Sequence, residues 1–504
     1  MRALVEALKN PKCYRHDVDE IRLVETHISW VLLTGRYAYK LKKPLKLPFL
    51  DFSTRARRKH FCAEELRLNR RLAPDLYLAV VPIGGSTTAP RVGRKPAIEH
   101  AVKMRQFDTR DELDVVVARR ELPRTALEEF AARLAQFHGG LPPARVRHAA
   151  QTIRASALDN FATLERHVRG AARRELADVR AWTKREGARL ANVFERRAAG
   201  GAHRECHGDL HLKNLLCRGG AIVALDALEF DRTLREIDVM SEVAFLAMDL
   251  HAARRRDLAH AFVNRYLEAS GDYDGIPVLR YYLVYRALVR AKVGAIKSAQ
   301  AHRSRHREGY LRTARELAAP PRPLLLVTHG LSGSGKTHVT EELVARLPAL
   351  RVRSDLERKR LHGLAALART GSAVGQGLYG AGANRRTYAA LAAAADRLLR
   401  AGFNAIVDAA FLRRAERLAF RQVAVANGAR FAILHCTAPT AELERRITRR
   451  TARGRDASEA TLAVLHQQLH DREPLDRAEL RATICVATRQ RIRYPNLLAQ
   501  LAKI

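Results

Sequence analysis

Gly330-Leu-Ser-Gly-Ser-Gly-Lys-Thr337 decides how the C-terminal part of this chain is read. It is a complete G-x-x-x-x-G-K-T. The apolar run Leu324–Thr328 precedes it, and the helix-compatible VTEELVARL (339–347) follows. Glycines let backbone N–H groups converge on phosphate oxygens with no Cβ in the way. The helix start adds its partial positive charge. Gly330, Ser332, Gly333, Ser334 and Gly335 are therefore the expected phosphate cradle. Lys336 is expected on the β- and γ-phosphates and the Thr337 hydroxyl on Mg²⁺. The nucleotide is expected to be ATP, with GTP as the alternative.

Reading outward, the next apolar strand ends in Arg353-Ser354-Asp355, followed by Leu-Glu-Arg358. Strand ends in such sheets face the ligand crevice. Asp355 there would take the proton from an attacking hydroxyl, with Arg358 holding the acceptor. In the competing reading, Ser354 or Asp355 merely caps a helix starting at Leu356. Ala405-Ile-Val-Asp408 is a further apolar strand, and Asp408 at its end would order Mg²⁺ through water. Arg445, Arg446, Arg449, Arg450 and Arg453 occupy one helix and the loop after it. Arg446 and Arg450 are four apart and share a face. They form either a lid over the transferred phosphoryl group or a solvated basic face.

VRSDLERKRL (352–361), VDAAFLRRAER (407–417) and RGRDASEATLAVLHQQ (453–468) resemble the small P-loop kinases. That family includes gluconate-kinase-like, zeta-toxin-like and polynucleotide-kinase-like proteins, and the resemblance covers about 322–490. It implies an adenylate-kinase-like α/β fold, Asp355 as general base, Arg358 as acceptor contact and Arg446 and Arg450 as lid.

Upstream, LAAPPRP (317–323) reads as a linker, because proline removes donors and stops helices. The expected domains are therefore 1–316 and 324–504. Residues 22–108 read as short alternating strands around a helix at roughly 55–73, and 110–315 as mainly helical, interrupted near 203–232. In the C-terminal domain LLLVTHG, LRVRSD, NAIVDAAF and RFAILHC alternate with amphipathic helices. That alternation predicts a parallel sheet flanked by helices.

The interruption contains HRECHGDLHLKNLL (203–216), which has two readings. His203, His207 and His211 recur every fourth residue, as zinc ligands on one helical face would. The stretch is also H-x-D-x-x-x-x-N, His207 to Asn214. Gly208 directly after His207, and the strand-like Leu215-Leu216 before a CRGG turn, argue against the helix. A second apolar strand, Ala221–Leu225, then ends in Asp226. Catalytic loop, hairpin and metal-binding Asp is the order used by kinase-like phosphotransferases. Asp209 is the expected base, with His207 orienting the loop. Asn214 and Asp226 supply oxygens for Mg²⁺. HISWVLLTGRYAYKLKK (27–43) reads as a hairpin. Its Lys40 is the expected phosphate lysine and Glu65 the preferred partner over Glu64, while Lys42 on the same strand face rivals Lys40.

HGDLHLKN (207–214) and LDALEF (225–230) resemble the aminoglycoside phosphotransferase-like branch of the protein-kinase-like fold, over about 20–300. The resemblance implies an α+β kinase-like domain. A G-x-G-x-x-G between its first two strands is missing, which leaves the phosphate clamp unassigned. The two modules together resemble bacterial proteins described as bifunctional aminoglycoside phosphotransferase-like/ATP-binding proteins. Polycationic substrates of that branch need an acidic pocket. Asp231, Glu236, Asp238, Glu242 and Asp249 are either that pocket or a solvated helix face.

Composition sets the outer bounds. At 504 residues with 47% apolar content, two to four domains are expected. Six scattered cysteines without a C-x-x-C read as reduced thiols in a cytoplasmic protein. The N-terminus lacks the apolar stretch of a signal peptide, and no segment reads as a membrane span. The net charge of +37 is dispersed through Ala/Arg-rich helices. That pattern favours phosphorylated small molecules over nucleic acid as partners. The expectation is a phosphotransferase with two Mg·ATP sites acting on small-molecule hydroxyls. The alternatives are a polynucleotide 5′-hydroxyl kinase and a nucleotide-switched regulatory factor binding nucleic acid or protein.

Overall fold

The computed structural model describes residues 1–47, 50–301, 305–366, 368, 380–453 and 458–504. They form two compact units, each assembled from several segments. The first comprises Met1–Phe130, Gly140–Arg147 and Arg197–Asp249, and the second Ala131–Gly139, His148–Arg196 and Leu250–Ile504.

The first unit is built on β1 (Arg22–Glu25), β2 (Ser29–Leu33), β3 (Tyr37–Lys42), β6 (Tyr77–Gly85), β7 (Pro90–Val92) and β8 (Ala97–Arg105), with a small β4–β5 hairpin (Lys46–Leu47, Leu50–Asp51) between. The main sheet is six-stranded, in the order β1-β2-β3-β8-β6-β7. Its neighbours pair antiparallel. Gly35, at φ +80° in the β2–β3 turn, takes a left-handed conformation that a Cβ would disfavour. Strand alternation divides β3 between two cores. Tyr39 and Leu41 pack with Leu4, Leu8, Trp30 and Leu32, whereas Ala38 packs with Cys62, Val102 and Met104. Lys40 and Lys42 share the Ala38 face, towards the helix Arg55–Arg70. That helix starts where the Thr54 side chain accepts from Arg57 N.

Four short strands follow: β9 (His203–Glu205), β10 (Leu215–Arg218), β11 (Ala221–Ala224) and β12 (Glu236–Asp238). β10 and β11 form a hairpin closed by Gly219 and Gly220, both at positive φ, as a tight two-residue turn requires.

The second unit holds a five-stranded parallel sheet in the order β14-β15-β13-β16-β17. Its strands are β13 (Leu324–His329), β14 (Ala349–Arg353), β15 (Asn404–Asp408), β16 (Arg430–Thr437) and β17 (Thr483–Ala487). Every residue of β13 is buried, which explains its unbroken apolar run in the sequence. β17 was not legible: it is a short edge strand with alternating exposure.

Pro320, Pro321 and Pro323 lie between the helix Arg305–Ala318 and β13. The compact units do not part there, because the preceding helices pack on the parallel sheet. Asn264, on the helix Arg256–Ser270, gives the edge strand β14 a partner. Its amide donates to Ala349 O (2.9 Å) and accepts from Arg351 N (2.6 Å). Arg280, on the helix Ile276–Ala301, donates to the carbonyls of Leu317, Ala401 and Gly402. Among the described residues no helix is long and apolar enough to cross a membrane. All six cysteines are free thiols.

Candidate active sites

In the first unit the three histidines do not share a helix. His203 lies on β9, His207 in the loop after it, and His211 just before the short 3-10 turn Leu212–Asn214. Gly208 sits at φ +88°, and a Cβ there would come within 3.0 Å of Leu234 O. The loop is held from behind by carboxylates. Glu242 accepts from the backbone N–H groups of His207 (3.1 Å) and Gly208 (2.8 Å), and Asp249 from Leu212 N (2.9 Å). His207 Nε2 pairs with Leu225 O at 2.9 Å. Burial pulls its pKa below the ordinary histidine value, against the upward pull of Glu242 and Asp209.

The Asn214 amide donates to Asp209 Oδ2 (3.0 Å) and Asp209 O (2.9 Å), so its own carbonyl oxygen is kept as an acceptor. Leu225 N donates to Asn214 O at 2.9 Å, which ties the loop to Asp226. Asp226 stands at φ +62°, left-handed backbone for a residue with a side chain, and its N–H donates to the Tyr77 hydroxyl. Such strain persists only where the surroundings enforce it. The donor set, Asn214 carbonyl and Asp226 carboxylate, consists of hard oxygens and fits Mg²⁺.

Lys40 and Lys42, rivals in the sequence, both pair with Glu65. Lys40 Nζ lies 2.8 Å from Glu65 and 2.5 Å from Asp226. Lys42 Nζ lies 2.7 Å from Glu65 and also pairs with Glu229. The result is a row of alternating charge, Asp226–Lys40–Glu65–Lys42–Glu229. Lys40 is the lysine that reaches Asp226, while the Lys42 side chain is wholly buried. Burial disfavours both ammonium groups. Asp226 and Glu65 nonetheless raise the Lys40 pKa well above its ordinary value, and Glu229 and Glu65 do the same for Lys42. Burial also opposes the Glu65 carboxylate, but Lys40 and Lys42 bring its pKa down to about 2. Glu64 bonds Arg67 instead.

Two expectations need correction or completion. The acidic residues at 231–249 do not act as one group: Asp231 and Glu236 are half-buried, and Glu236 lines a cleft beside Glu64 and Glu205. Asp238, Glu242 and Asp249 are buried. Asp238 pairs with Arg197, and the other two hold the loop 207–212. Asp231 caps Thr233 N, and Glu236 pairs with Arg232. The missing glycine-rich segment is replaced by the turn Thr26-His27-Ile28. The Thr26 hydroxyl donates to Ser29 O and accepts from Ser29 N, and Lys43 pairs with Glu25 beside it.

In the second unit, Lys336 Nζ donates to the carbonyls of Gly330 and Leu331, both at 2.8 Å. Burial lowers its pKa despite the nearby carboxylates of Asp408 and Asp355. A Cβ on Gly330 would lie 2.5 Å from Cys436 O, and one on Gly333 2.9 Å from Leu443 O. Gly333 and Gly335 adopt φ near +82° and +83°. Ser332 N donates to Gln468 Oε1 at 2.8 Å. The Ser334 hydroxyl is buried without a hydrogen-bond partner among the described residues. Glycine-only backbone and an orphaned hydroxyl beside a half-buried lysine fit a phosphate-binding loop.

A cleft of about 1160 Å³ brings Thr337, Asp355, Arg358, Asp408, Arg446 and Arg450 together with Lys336. Asp355 does not cap a helix. The helix Ser354–Leu361 has Arg353 at its N-cap with no side-chain cap bond, which places Asp355 in the first turn. Arg358 donates to Asn384 Oδ1 (2.6 Å). Asp408 accepts from the Thr340 hydroxyl (3.3 Å). The arginines of the helix Thr440–Arg453 divide. Arg445 is exposed and pairs with Glu442. Arg446 donates to Gly333 O (3.2 Å) and to Thr488 Oγ1 (2.9 Å). Arg450 donates to Ala460 O. The Arg453 side chain and residues 454–457 lie outside the described residues.

Sequence reasoning missed Glu229, although it sits inside the quoted LDALEF. It also missed Gln468, Thr488 and Asn384. Gln468 ends the quoted run 453–468, whereas nothing around Thr488 or Asn384 marks them.

Comparison with known proteins adds the following. Residues 325–475 match the family model described as an AAA domain. An uncharacterized protein of Mycobacterium tuberculosis strain H37Rv is 28% identical over 469 residues, covering 90% of this chain and 91% of that protein, and one of Mycobacterium bovis matches to the same extent. A choline/ethanolamine kinase family protein from Mesorhizobium loti is 13% identical, covers 64% of this chain and 95% of that one, and gives a TM-score of 0.38. A gluconokinase from Sinorhizobium meliloti 1021 is 22% identical, with 34% and 85% covered and a TM-score of 0.24. The P-loop region is thus similar to the AAA domain family, and the chain is similar over nearly its whole length to the two mycobacterial proteins.

Proposed function

We propose that the protein is a cytoplasmic ATP-dependent phosphotransferase with two active sites, an aminoglycoside phosphotransferase-like one and a P-loop kinase-like one, each transferring phosphate to a small-molecule hydroxyl. The observation that carries this reading is the double set of groups. Each unit places a lysine, a carboxylate suited to be the base, and hard oxygen ligands together, linked by hydrogen bonds and ion pairs in the first unit and lining one cleft in the second.

Bound Mg²⁺ would neutralise charge on the phosphates. Asn214 and Asp226 would hold it in the first unit, and Thr337 and Asp408 in the second. In the first unit Lys40 binds phosphate oxygens, and Asp209 accepts the proton of the acceptor hydroxyl as its oxygen bonds the γ-phosphorus and the bond to the β-phosphate oxygen breaks, ADP leaving. Asn214 fixes the Asp209 carboxylate, and His207 fixes the loop. In the second unit Lys336 turns from the loop carbonyls to the phosphates. Asp355 takes the acceptor proton, Arg358 holds the acceptor, and Arg446 and Arg450 cover the transferred group.

The test is phosphorylation of a metabolite library by the full chain, with Asp209→Asn and Asp355→Asn used to assign each product to a site. Absence of any product from either site would refute the assignment. A second reading, a polynucleotide 5′-hydroxyl acceptor at the second site, is favoured by Arg353, Arg358, Arg385 and Arg413 lining the cleft. Salt-dependent binding of a random oligonucleotide, lost on Arg385→Ala, would support it.

A further inference from the structure

Glu268 belongs to the last turn of the helix Arg256–Ser270, where the helix dipole disfavours a carboxylate. It is nevertheless buried, at 7% exposed, and so is Arg351 on β14, at 6%. Burying two charges costs free energy that only close pairing offsets, and the pairing is close. Arg351 donates from Nη2 (2.8 Å) and Nε (3.2 Å) to Glu268 Oε1. Burial opposes the Glu268 carboxylate, but Arg351 and Arg353 hold its pKa below the ordinary value.

The pair does not end there. The remaining nitrogen, Arg351 Nη1, donates to Thr337 O (3.3 Å) and to Thr340 Oγ1 (3.1 Å). With one side of its oxygen occupied by Arg351, the Thr340 hydroxyl sends its proton to Asp408 Oδ2 (3.3 Å) or Thr337 O (3.1 Å). Thr340 is fully buried and Asp408 nearly so. Thr337 and Asp408 are the residues assigned above to Mg²⁺. One guanidinium therefore braces both from behind, without lining the cleft itself. Hydrogen-bonded chains of this kind fix side chains that otherwise hop between rotamers.

We propose that Glu268 and Arg351 are positioning residues for the metal side of the P-loop site, with Glu268 supplied by a helix outside the 325–475 match; the inference rests on the nucleotide-site reading above. The pair holds the first turn of the helix Lys336–Arg346 against Asp408, so that the Thr337 hydroxyl and the Asp408 carboxylate stand ready for the cation. Its contribution is specific to Mg²⁺, because Lys336 and the loop N–H groups that take the phosphates do not bond either residue.

The test is calorimetric binding of ATP to the P-loop site of the full chain, with Mg²⁺ and with EDTA. A Lys40→Met background weakens the other site, and the melting temperature is read alongside. Expected is a fall of about tenfold in the Mg²⁺-dependent gain in affinity for Arg351→Met, with EDTA affinity within about twofold of wild type. Thr340→Val should do the same, and the double variant should lose no more than either single one, since the residues act in one chain. If Arg351→Met does not fold, Glu268→Gln keeps the volume and an acceptor while removing the charge, and should give the smaller loss of the same kind. An unchanged Mg²⁺ gain in a folded variant overturns the inference. So does an equal loss with and without Mg²⁺, the signature of a merely structural pair. No ATP binding at the P-loop of the folded Lys40→Met protein overturns the nucleotide-site reading, and the positioning role with it.

Discussion

Lys40 and Lys336 have the same task in the proposed reading and are housed in opposite ways. Lys40 lies in a row of alternating charges, 2.5 Å from Asp226 and 2.8 Å from Glu65, and those carboxylates raise its pKa far above the ordinary value. Among the described residues Lys336 bonds the Gly330 and Leu331 carbonyls of its own loop, and burial lowers its pKa despite Asp408 and Asp355 nearby. The first lysine is held by the fold. In the reading proposed above, the phosphates supply the second lysine's charge partner. Damage to the first row at Lys42 should therefore appear chiefly as lost stability, damage at Lys40 as lost nucleotide binding as well, and damage to Lys336 chiefly as lost binding.

The largest expected effects concern the bases, where the two sites should behave alike. Asp209→Asn and Asp355→Asn should each lower transfer at their own site by roughly 10²–10⁴-fold. Nucleotide affinity should persist, because the base meets the acceptor and not ATP. Single-turnover assays with each acceptor would read this, and a variant that silences both products would break the two-site account. Next is Lys42→Met, which leaves Glu65 and Glu229 buried with one cation fewer. Breaking such a pair costs about 3–5 kcal/mol, read as a lower urea midpoint for the first unit. Lys336→Ala should do the reverse, weakening ATP at the P-loop by about 100-fold while the melting temperature barely moves. Similar losses of stability in both variants would erase the contrast.

The smallest effect is in pH. The Glu65 pKa is held at about 2 against an ordinary value of 4.5. A depressed carboxylate contributes stability that is complete above its unfolded pKa and is lost as pH falls towards its folded pKa. The stability advantage of the wild type over Glu65→Gln should thus be level above about pH 5 and shrink between 4.5 and about 2. An advantage independent of pH across that window would mean that Glu65 acts by shape alone.

What the sequence disclosed follows the range of the interactions. The P-loop is local: glycines, lysine and threonine stand within eight residues, and flanking strand and helix announce themselves. The H-x-D-x-x-x-x-N loop is equally local, and Gly208 with the strand-like Leu215-Leu216 and the turn after them argued against the three-histidine helix. Lys40 against Lys42 was undecidable, because alternate residues of a strand share a face and both reach Glu65. Glu242 and Asp249 read either as acids of a pocket or as a solvated helix face. Only the chain path that brings residues 207–212 beneath them reveals their bonds to backbone N–H groups. The partnership of Asn264, Glu268 and Arg280 with the parallel sheet spans at least 83 residues of sequence and leaves no trace in spacing or periodicity. The prolines at 320, 321 and 323 mark a turn in the chain, and packing across them carries the helices onto the sheet.

The central claim is that one chain holds two separate nucleotide sites. Isothermal titration of the full chain with ATP and Mg²⁺ tests it most directly. Two bound nucleotides are predicted for the wild type, one for Lys336→Ala, one for Lys40→Met and none for the double variant at the same concentrations. A stoichiometry of one in the wild type, or loss of all binding on either single substitution, would contradict it.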